Sequence, residues 1–227
     1  MLSTLPYQKK ELVDYFIAYN TCSNPAYEAP SWKQNKGQLN LAVSAGLAYS
    51  SMQLTIDGRS YMNRDFGSNT NGTYAIDVEY ILPFNNNKWG ITLTPSYQSF
   101  KSEQQSEYST GTVDFKAIEI GVGLKRYFFL NDEAKMFVNL QYNSILSYRF
   151  DSKFGFKSHS TQDFLYDPID KAYNPTLVYG LGFEYRRMFA EFRYHSPQNI
   201  MSKYPSWDAK LEKISFRVGY KIIQTKF

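Results

Sequence analysis

The segment LNLAVSAGLAYS, residues 39–50, decides the fold. Leu39, Leu41, Val43, Ala45, Leu47 and Tyr49 share one parity, while Asn40, Ala42, Ser44, Gly46, Ala48 and Ser50 share the other. Successive side chains of a β-strand point to opposite faces, so the alternation predicts a strand with an apolar row backed by small and polar residues. A strand with lipid on one side and a polar interior on the other has this pattern.

The same pattern recurs along the chain. A second strand over about 73–84 aligns Tyr74, Ile76, Val78, Tyr80 and Leu82 against Asp77 and Glu79. The third sets Trp89, Ile91, Leu93, Pro95 and Tyr97 against Gly90, Thr92, Thr94, Ser96 and Gln98. Pro95 lacks an amide hydrogen, so a bulge is expected there. The fourth, about 115–128, sets Ile118, Ile120, Val122 and Leu124 against Glu119, Gly121, Gly123 and Lys125. The fifth carries Val138, Leu140, Tyr142, Leu146, Tyr148 and Phe150 against Asn139, Gln141, Asn143 and Arg149. The sixth has Leu177, Tyr179, Leu181, Phe183 and Tyr185 opposite Val178, Gly180, Gly182, Glu184 and Arg186. The seventh aligns Met188, Ala190, Phe192 and Tyr194 against Glu191, Arg193 and His195. The eighth aligns Ile214, Phe216, Val218, Tyr220 and Ile222 against Ser215, Arg217, Gly219 and Lys221.

Eight strands are therefore expected, and their connections alternate in length. Links two to three, four to five and six to seven are tight turns; the other four are longer and polar. Outer-membrane barrels have short periplasmic turns and longer external loops, with both termini periplasmic when the strand number is even. Residues 7–20, YQKKELVDYFIAYN, have helical rather than two-residue periodicity and predict a short amphipathic helix. The expected layout is an N-terminal periplasmic segment with that helix over 1–37, a barrel over 38–223 and a tail over 224–227. The predicted fold is all-β: an eight-stranded antiparallel transmembrane β-barrel with a short N-terminal periplasmic helix.

Composition agrees with this layout. Twenty Tyr, 17 Phe and three Trp make 18% of the chain aromatic, as expected where rings line two membrane interfaces. No run of eighteen apolar residues exists, which excludes a transmembrane helix but not a barrel strand of about ten residues. The formal charge of +4 is not gathered into a stripe, so nucleic acid is not an expected partner. Cys22 is the sole cysteine, which excludes an intramolecular disulfide and a CxxC site. The opening MLSTLPYQKKELV has no apolar core of a signal peptide. Export therefore implies that the sequence begins after a removed or omitted segment.

A soluble barrel would turn its apolar face inward. Eight strands enclose only enough room for side chains to fill, and the apolar rows are made of large rings and branched aliphatics. The opposite face, with its glycines, small residues and a few long charged side chains, fits a narrow lumen. Asp77, Glu79, Glu119, Lys125, Arg149, Glu184, Glu191, Arg193, Arg217 and Lys221 are the expected interior charge network. An Arg or Lys facing lipid at mid-depth costs about 2–4 kcal/mol, so the basic members need inward positions and acidic partners.

The stretches VEYILPFNNNKWGITLTPSYQSFK at 78–101, IEIGVGLKRYFFLNDEAKMFVN at 118–139 and YGLGFEYRRMFAEFRYH at 179–195 resemble small outer-membrane barrels of Bacteroidota. The general plan is that of OmpA- and OmpX-type and PorT-like barrels, and the likeness covers about residues 38–223. The resemblance implies an outer-membrane location and supplies no shared catalytic motif. Many such barrels end on an aromatic residue in the outward row of the last strand; Phe227 is terminal but has the opposite parity to Phe216, Val218 and Tyr220.

Candidate chemistry is sparse. His195, beside Glu191 and Arg193, is the residue that invites a catalytic reading, against the plainer one of a rim or lumen histidine. With His159 it makes no persuasive metal site, and no cofactor is implied. Val13, Phe16, Ile17 and Tyr19 on the helix, and Tyr166, Tyr173 and Tyr204 in the longer loops, are candidate partner contacts. The leading expectation is a noncatalytic barrel acting as a structural or accessory subunit of an envelope complex, with membrane lipid and an envelope protein as partners and no small-molecule substrate. Two alternatives are a narrow channel for ions or small solutes, lined by Glu79, Glu119, Glu191, Arg193 and Arg217, and a small outer-membrane enzyme using His195.

Overall fold

The period-two segments do form antiparallel strands, and the chain closes them into a ring. A computed structural model describes residues 8–24, 35–58, 63–106, 109–143, 148–149, 152–158, 163–166, 175–201 and 206–227. The chain divides into two compact units, Met1–Gln34 and Asn35–Phe227. In the first, helix α1 spans Lys9–Ser23, starting two and ending three residues later than the sequence indicates, with Phe16 and Tyr19 exposed and Val13 and Ile17 half-buried.

In the second unit the strands are β1 (Gln38–Ile56), β2 (Arg64–Ile81), β3 (Trp89–Gln105), β4 (Ser109–Phe129), β5 (Ala134–Asn143), β6 (Tyr148–Arg149), β7 (Lys153–Ser158), β8 (Asp163–Tyr166), β9 (Thr176–Tyr185), β10 (Met188–Asn199) and β11 (Trp207–Lys226). Eight of them form the ring β1-β2-β3-β4-β5-β9-β10-β11, which closes where β11 pairs with β1. The predicted fifth strand is met in two described pieces on one edge of β4. β5 stops at Asn143, and β6 and then β7 take over the same edge of β4, with β8 pairing beyond β7. Leu146 and Phe150, assigned to that strand from the sequence, lie outside the described residues.

Three tight connections mark one end of the ring, called here the turn side. Asn85, Asn86 and Asn87 between β2 and β3 all have positive φ, a conformation that asparagine tolerates better than most residues. The β4–β5 and β9–β10 turns are clasped together: the Arg186 backbone N–H donates to Glu133 O (2.8 Å), and its guanidinium Nη2 donates to Glu133 Oε1 (2.8 Å). The Tyr185 hydroxyl donates to Glu133 Oε2 (3.0 Å). The Arg186 and Tyr185 hydrogen bonds hold the Glu133 carboxyl below its ordinary range. That contribution is present at neutral pH and is lost as acid protonates the carboxylate; because the pair is exposed, water screens it.

Pro95 is accommodated differently from the expected bulge. The β2–β3 register is the same on both sides of it, with Ala75 opposite Ser96 and Val78 opposite Leu93. Ile76 and Asp77 simply lack partners in that ladder, whereas on the other side Pro95 stays paired with Ile120. The missing amide hydrogen therefore falls on the β2 side and leaves a gap, not an extra residue. Pro95→Val should restore the donor on an outward position and raise stability by about 1 kcal/mol. A higher urea midpoint of the detergent-folded barrel is the expected reading.

A bulge does occur near the end of β11. Leu41 faces Ile223 while Ala42 faces Lys221, so Ile222 is the extra residue. The predicted tail over 224–227 is corrected accordingly: β11 continues to Lys226, paired with Gln38, and the Phe227 N–H donates to Gly37 O (2.9 Å). The bulge also reverses parity. Past it, Ile223 and Thr225 lie opposite the outward Leu41 and Leu39, and Phe227, exposed, follows on the same parity.

Candidate functional site

Burial assigns the two faces of the ring. Val43, Leu47, Tyr74, Ile76, Leu93, Val122, Leu124, Leu140, Leu181, Phe192, Phe216 and Val218 are exposed on the outer surface, Leu47 by 62%. Asn40, Asp77, Glu79, Glu119, Glu191, Arg193 and Arg217 are buried inside, Glu191 completely. In water this would be inverted; it fits a barrel whose outer solvent is apolar.

The interior is filled in layers. Nearest the turn side, Glu79 accepts from the Tyr127 hydroxyl and from Asn40 Nδ2 (2.9 Å), with Lys125 Nζ at 3.4 Å and Lys221 Nζ at 3.5 Å. Lys221 also donates to Glu184 Oε1 (2.7 Å), which Lys135 approaches at 3.1 Å. Tyr127, Phe137 and Phe189 pack edge-to-face here, with Lys125 Nζ 4.6 Å from the Phe137 ring centroid. Gly182 and Gly219 make room for these rings, since a Cβ on either would collide with Phe137 or Phe189.

Arg217 organises the middle layer. Its Nε and Nη2 donate to Glu191 Oε2 (2.8 and 2.5 Å), and its Nη1 reaches Asp77 Oδ1 (2.8 Å) and Ser44 Oγ (3.0 Å). Ser44 Oγ in turn donates to Asp77 Oδ2 (2.8 Å), and Asn139 Nδ2 donates to Glu191 Oε1 (3.0 Å). Arg193 Nε lies 3.1 Å from Glu191 Oε2. In the next layer Glu119 takes Gln98 Nε2 (2.6 Å), Asn143 Nδ2 (3.2 Å) and Lys213 Nζ (3.2 Å). Charge-assisted bonds of this kind are about twice as strong as neutral ones, although desolvation offsets much of the gain.

Above these layers, toward the longer connections, the polarity of both faces reverses. On β1, Met52, Leu54 and Ile56 are buried while Gln53 and Thr55 are exposed. On β11, Leu211 and Ala209 are buried while Glu212, Lys210 and Asp208 are exposed, at the same level because Met52 pairs with Leu211. Phe66, Phe100, Val113, Phe115 and Phe154 join them in one apolar cluster. Gly67, with φ of 67°, sits at the β1–β2 register shift beside Phe66. Several strands as read from the sequence end at this level, where the apolar residues change parity. The strands in fact continue, as a segment with an apolar core and a polar exterior.

The residues singled out from the sequence fall as follows. Asp77, Glu79, Glu119, Lys125, Glu184, Glu191, Arg193, Arg217 and Lys221 all lie in the interior layers. Arg149 is described only as backbone, paired with Ala117. Lys135, Lys213 and Tyr127 also take part and were missed, while Gln98 and Asn139, on the polar rows read from the sequence, join as uncharged partners. Lys213 shares its parity with Arg217, so the eighth strand, begun one residue later at Ile214, excluded it. His195 is buried with Nε2 3.2 Å from Ser215 Oγ. Among the described residues no carboxylate hydrogen-bonds its Nδ1, so there the pair lacks the third group that orients a catalytic base. Tyr166 is described as backbone of β8, and His159, Tyr173 and Tyr204 lie outside the described residues.

No protein family's profile matches this sequence, and no curated protein matches it. Solved structures of similar architecture exist. Ail, the attachment invasion locus protein of Yersinia pestis, is 19% identical over 82% of this chain and 99% of its own, with a TM-score of 0.40. Neisserial surface protein A is 14% identical over 80% and 97%, with a TM-score of 0.42. The outer membrane protein OprG from Pseudomonas aeruginosa is 16% identical over 83% and 98%, with a TM-score of 0.46.

Proposed function

We propose that this chain is a noncatalytic barrel of the bacterial outer membrane that anchors a structural or accessory surface within a larger envelope complex. The observation that carries the reading is the filled interior beneath an apolar outer belt. Cross-linked ion pairs occupy the ring from Glu184 to Glu119, and the apolar cluster of Met52, Phe100, Phe115 and Phe154 lies over them. An eight-stranded barrel has little spare width, and here side chains take it up. The channel alternative needs a continuous wet path, and these layers oppose one. The enzyme alternative needs His195 within reach of substrate, and its burial opposes that.

The asymmetry of the two ends supports an orientation with tight turns and both ends of the 38–226 sheet on the periplasmic side. The polar-coated extension would then stand outside the membrane, where its surface is offered to a partner. Phe16 and Tyr19 of α1 are a second candidate contact. Two measurements test the reading. Reconstituted into planar bilayers, the protein should give no unitary conductance, and discrete steps would overturn the anchor role in favour of the channel. Extracted in mild detergent from its native membrane, it should migrate as an assembly larger than its 26.4 kDa chain. A persistent monomer would remove the accessory role and leave the barrel reading intact.

A further inference from the structure

Between the Arg217 layer and the apolar cluster lies a small cavity of about 20 Å³, lined by Gln98, Arg193, His195, Lys213, Ser215 and Arg217 among others. Every charged side chain on its wall is basic. The carboxylates that pair with those bases (Glu191, Asp77 and Glu119) are not part of the lining. Among the described residues, three polar atoms of the lining side chains have no hydrogen-bond partner: Arg193 Nε, which still has its ion pair with Glu191 at 3.1 Å, and the two free atoms Arg193 Nη2 and His195 Nδ1. Their residues are only 4% and 6% exposed. A guanidinium N–H left without an acceptor in a low-dielectric interior is costly, so something absent from the protein itself should satisfy it.

We infer that this cavity is a binding site for one small monovalent anion of halide size. Volume favours a small occupant: the space admits about one water-sized particle, which suits a monatomic anion better than sulfate, phosphate or a carboxylate. Charge selects between the remaining occupants. A neutral water could bridge the two free atoms, but low-dielectric walls concentrate the field of Arg193, Lys213 and Arg217 at a point their carboxylates do not reach. Among the described residues, the polar layers hold six basic side chains (Lys125, Lys135, Arg193, Lys213, Arg217, Lys221) against five carboxylates (Asp77, Glu79, Glu119, Glu184, Glu191). One monovalent anion balances the charge of these described side chains. The histidine tautomer with its proton on Nδ1, and Nε2 accepting from Ser215 Oγ, supplies a second donor beside Arg193 Nη2. The inference concerns the interior alone and is independent of the partner role proposed above.

The protein folded from urea into detergent in sodium bromide, then crystallised, tests it by anomalous scattering at the bromine edge. A peak inside the barrel in contact with Arg193 Nη2 is expected. An ordered water there with no anomalous signal, or bromide on the exterior only, would overturn the site. A second reading needs no crystal. The urea midpoint should be higher in bromide than in gluconate at equal ionic strength, and equal midpoints would also overturn the site. The difference should vanish in Arg193→Met, with His195→Gln as the milder variant should Arg193→Met fail to fold.

Discussion

Arg217→Met is expected to be the most damaging single interior substitution, costing about 3–5 kcal/mol of folding stability in detergent or lipid. The side chain joins three strands at once: its guanidinium spans Glu191 on β10, Asp77 on β2 and Ser44 on β1. Methionine replaces its volume but leaves buried Asp77 without its cation and Glu191 with Arg193 alone, and the penalty belongs to those carboxylates. The ion pairs themselves add far less net stability, because both partners lose water on folding. Equilibrium unfolding in urea, followed by aromatic fluorescence, measures the loss. The double variant Arg217→Met, Asp77→Asn, which keeps Glu191 for Arg193, should recover a large part of it. No recovery would mean that Arg217 acts through packing and not through charge.

The second large effect separates the two zones of one strand. Val43→Arg places a charge in the middle of the outward apolar row of β1 and should cost about 2–4 kcal/mol of folding into bilayers. Gln53→Arg lies on the same face of the same strand, ten residues farther along and past the polarity reversal, and should be nearly neutral. Folding yields into phospholipid vesicles, read by the heat-dependent shift in gel mobility, distinguish the two. Equal tolerance at both positions would place Val43 outside the hydrocarbon and would sink the membrane assignment of this surface. In detergent-free water the order should invert, since only the Gln53 level already has a polar coat.

The reversal shows how far local pattern reaches. Residues 39–50 announce a strand, and Met52, Leu54 and Ile56 against Gln53 and Thr55 keep the same two-residue period. Read alone, the change in parity of the apolar residues looks like the end of a strand. It is instead a change of solvent along an uninterrupted strand, and the pairing of Met52 with Leu211 shows that neighbouring strands change at one level. The interior carboxylates and cations were legible because a charge opposite an apolar row has one tolerable direction. Their partners were not: Arg217 and Ser44 meet only because the ring closes between β1 and β11.

By itself, the sequence determined the eight ring strands at their apolar-faced level, their antiparallel order through short turns, and which face of the 39–50 segment is apolar, because alternation and turn chemistry are local. The tertiary structure decided what depends on register between distant segments. It turned the expected bulge at Pro95 into a ladder gap, since the missing hydrogen happens to face β2. It moved the bulge to Ile222, which puts Phe227 on the parity of the outward row from which the sequence count had excluded it. It also gave His195 its Ser215 neighbour and the cationic cavity beside it. A one-residue insertion in a ladder changes the face of every residue beyond it, and no window of the sequence records where the opposing strand lacks one.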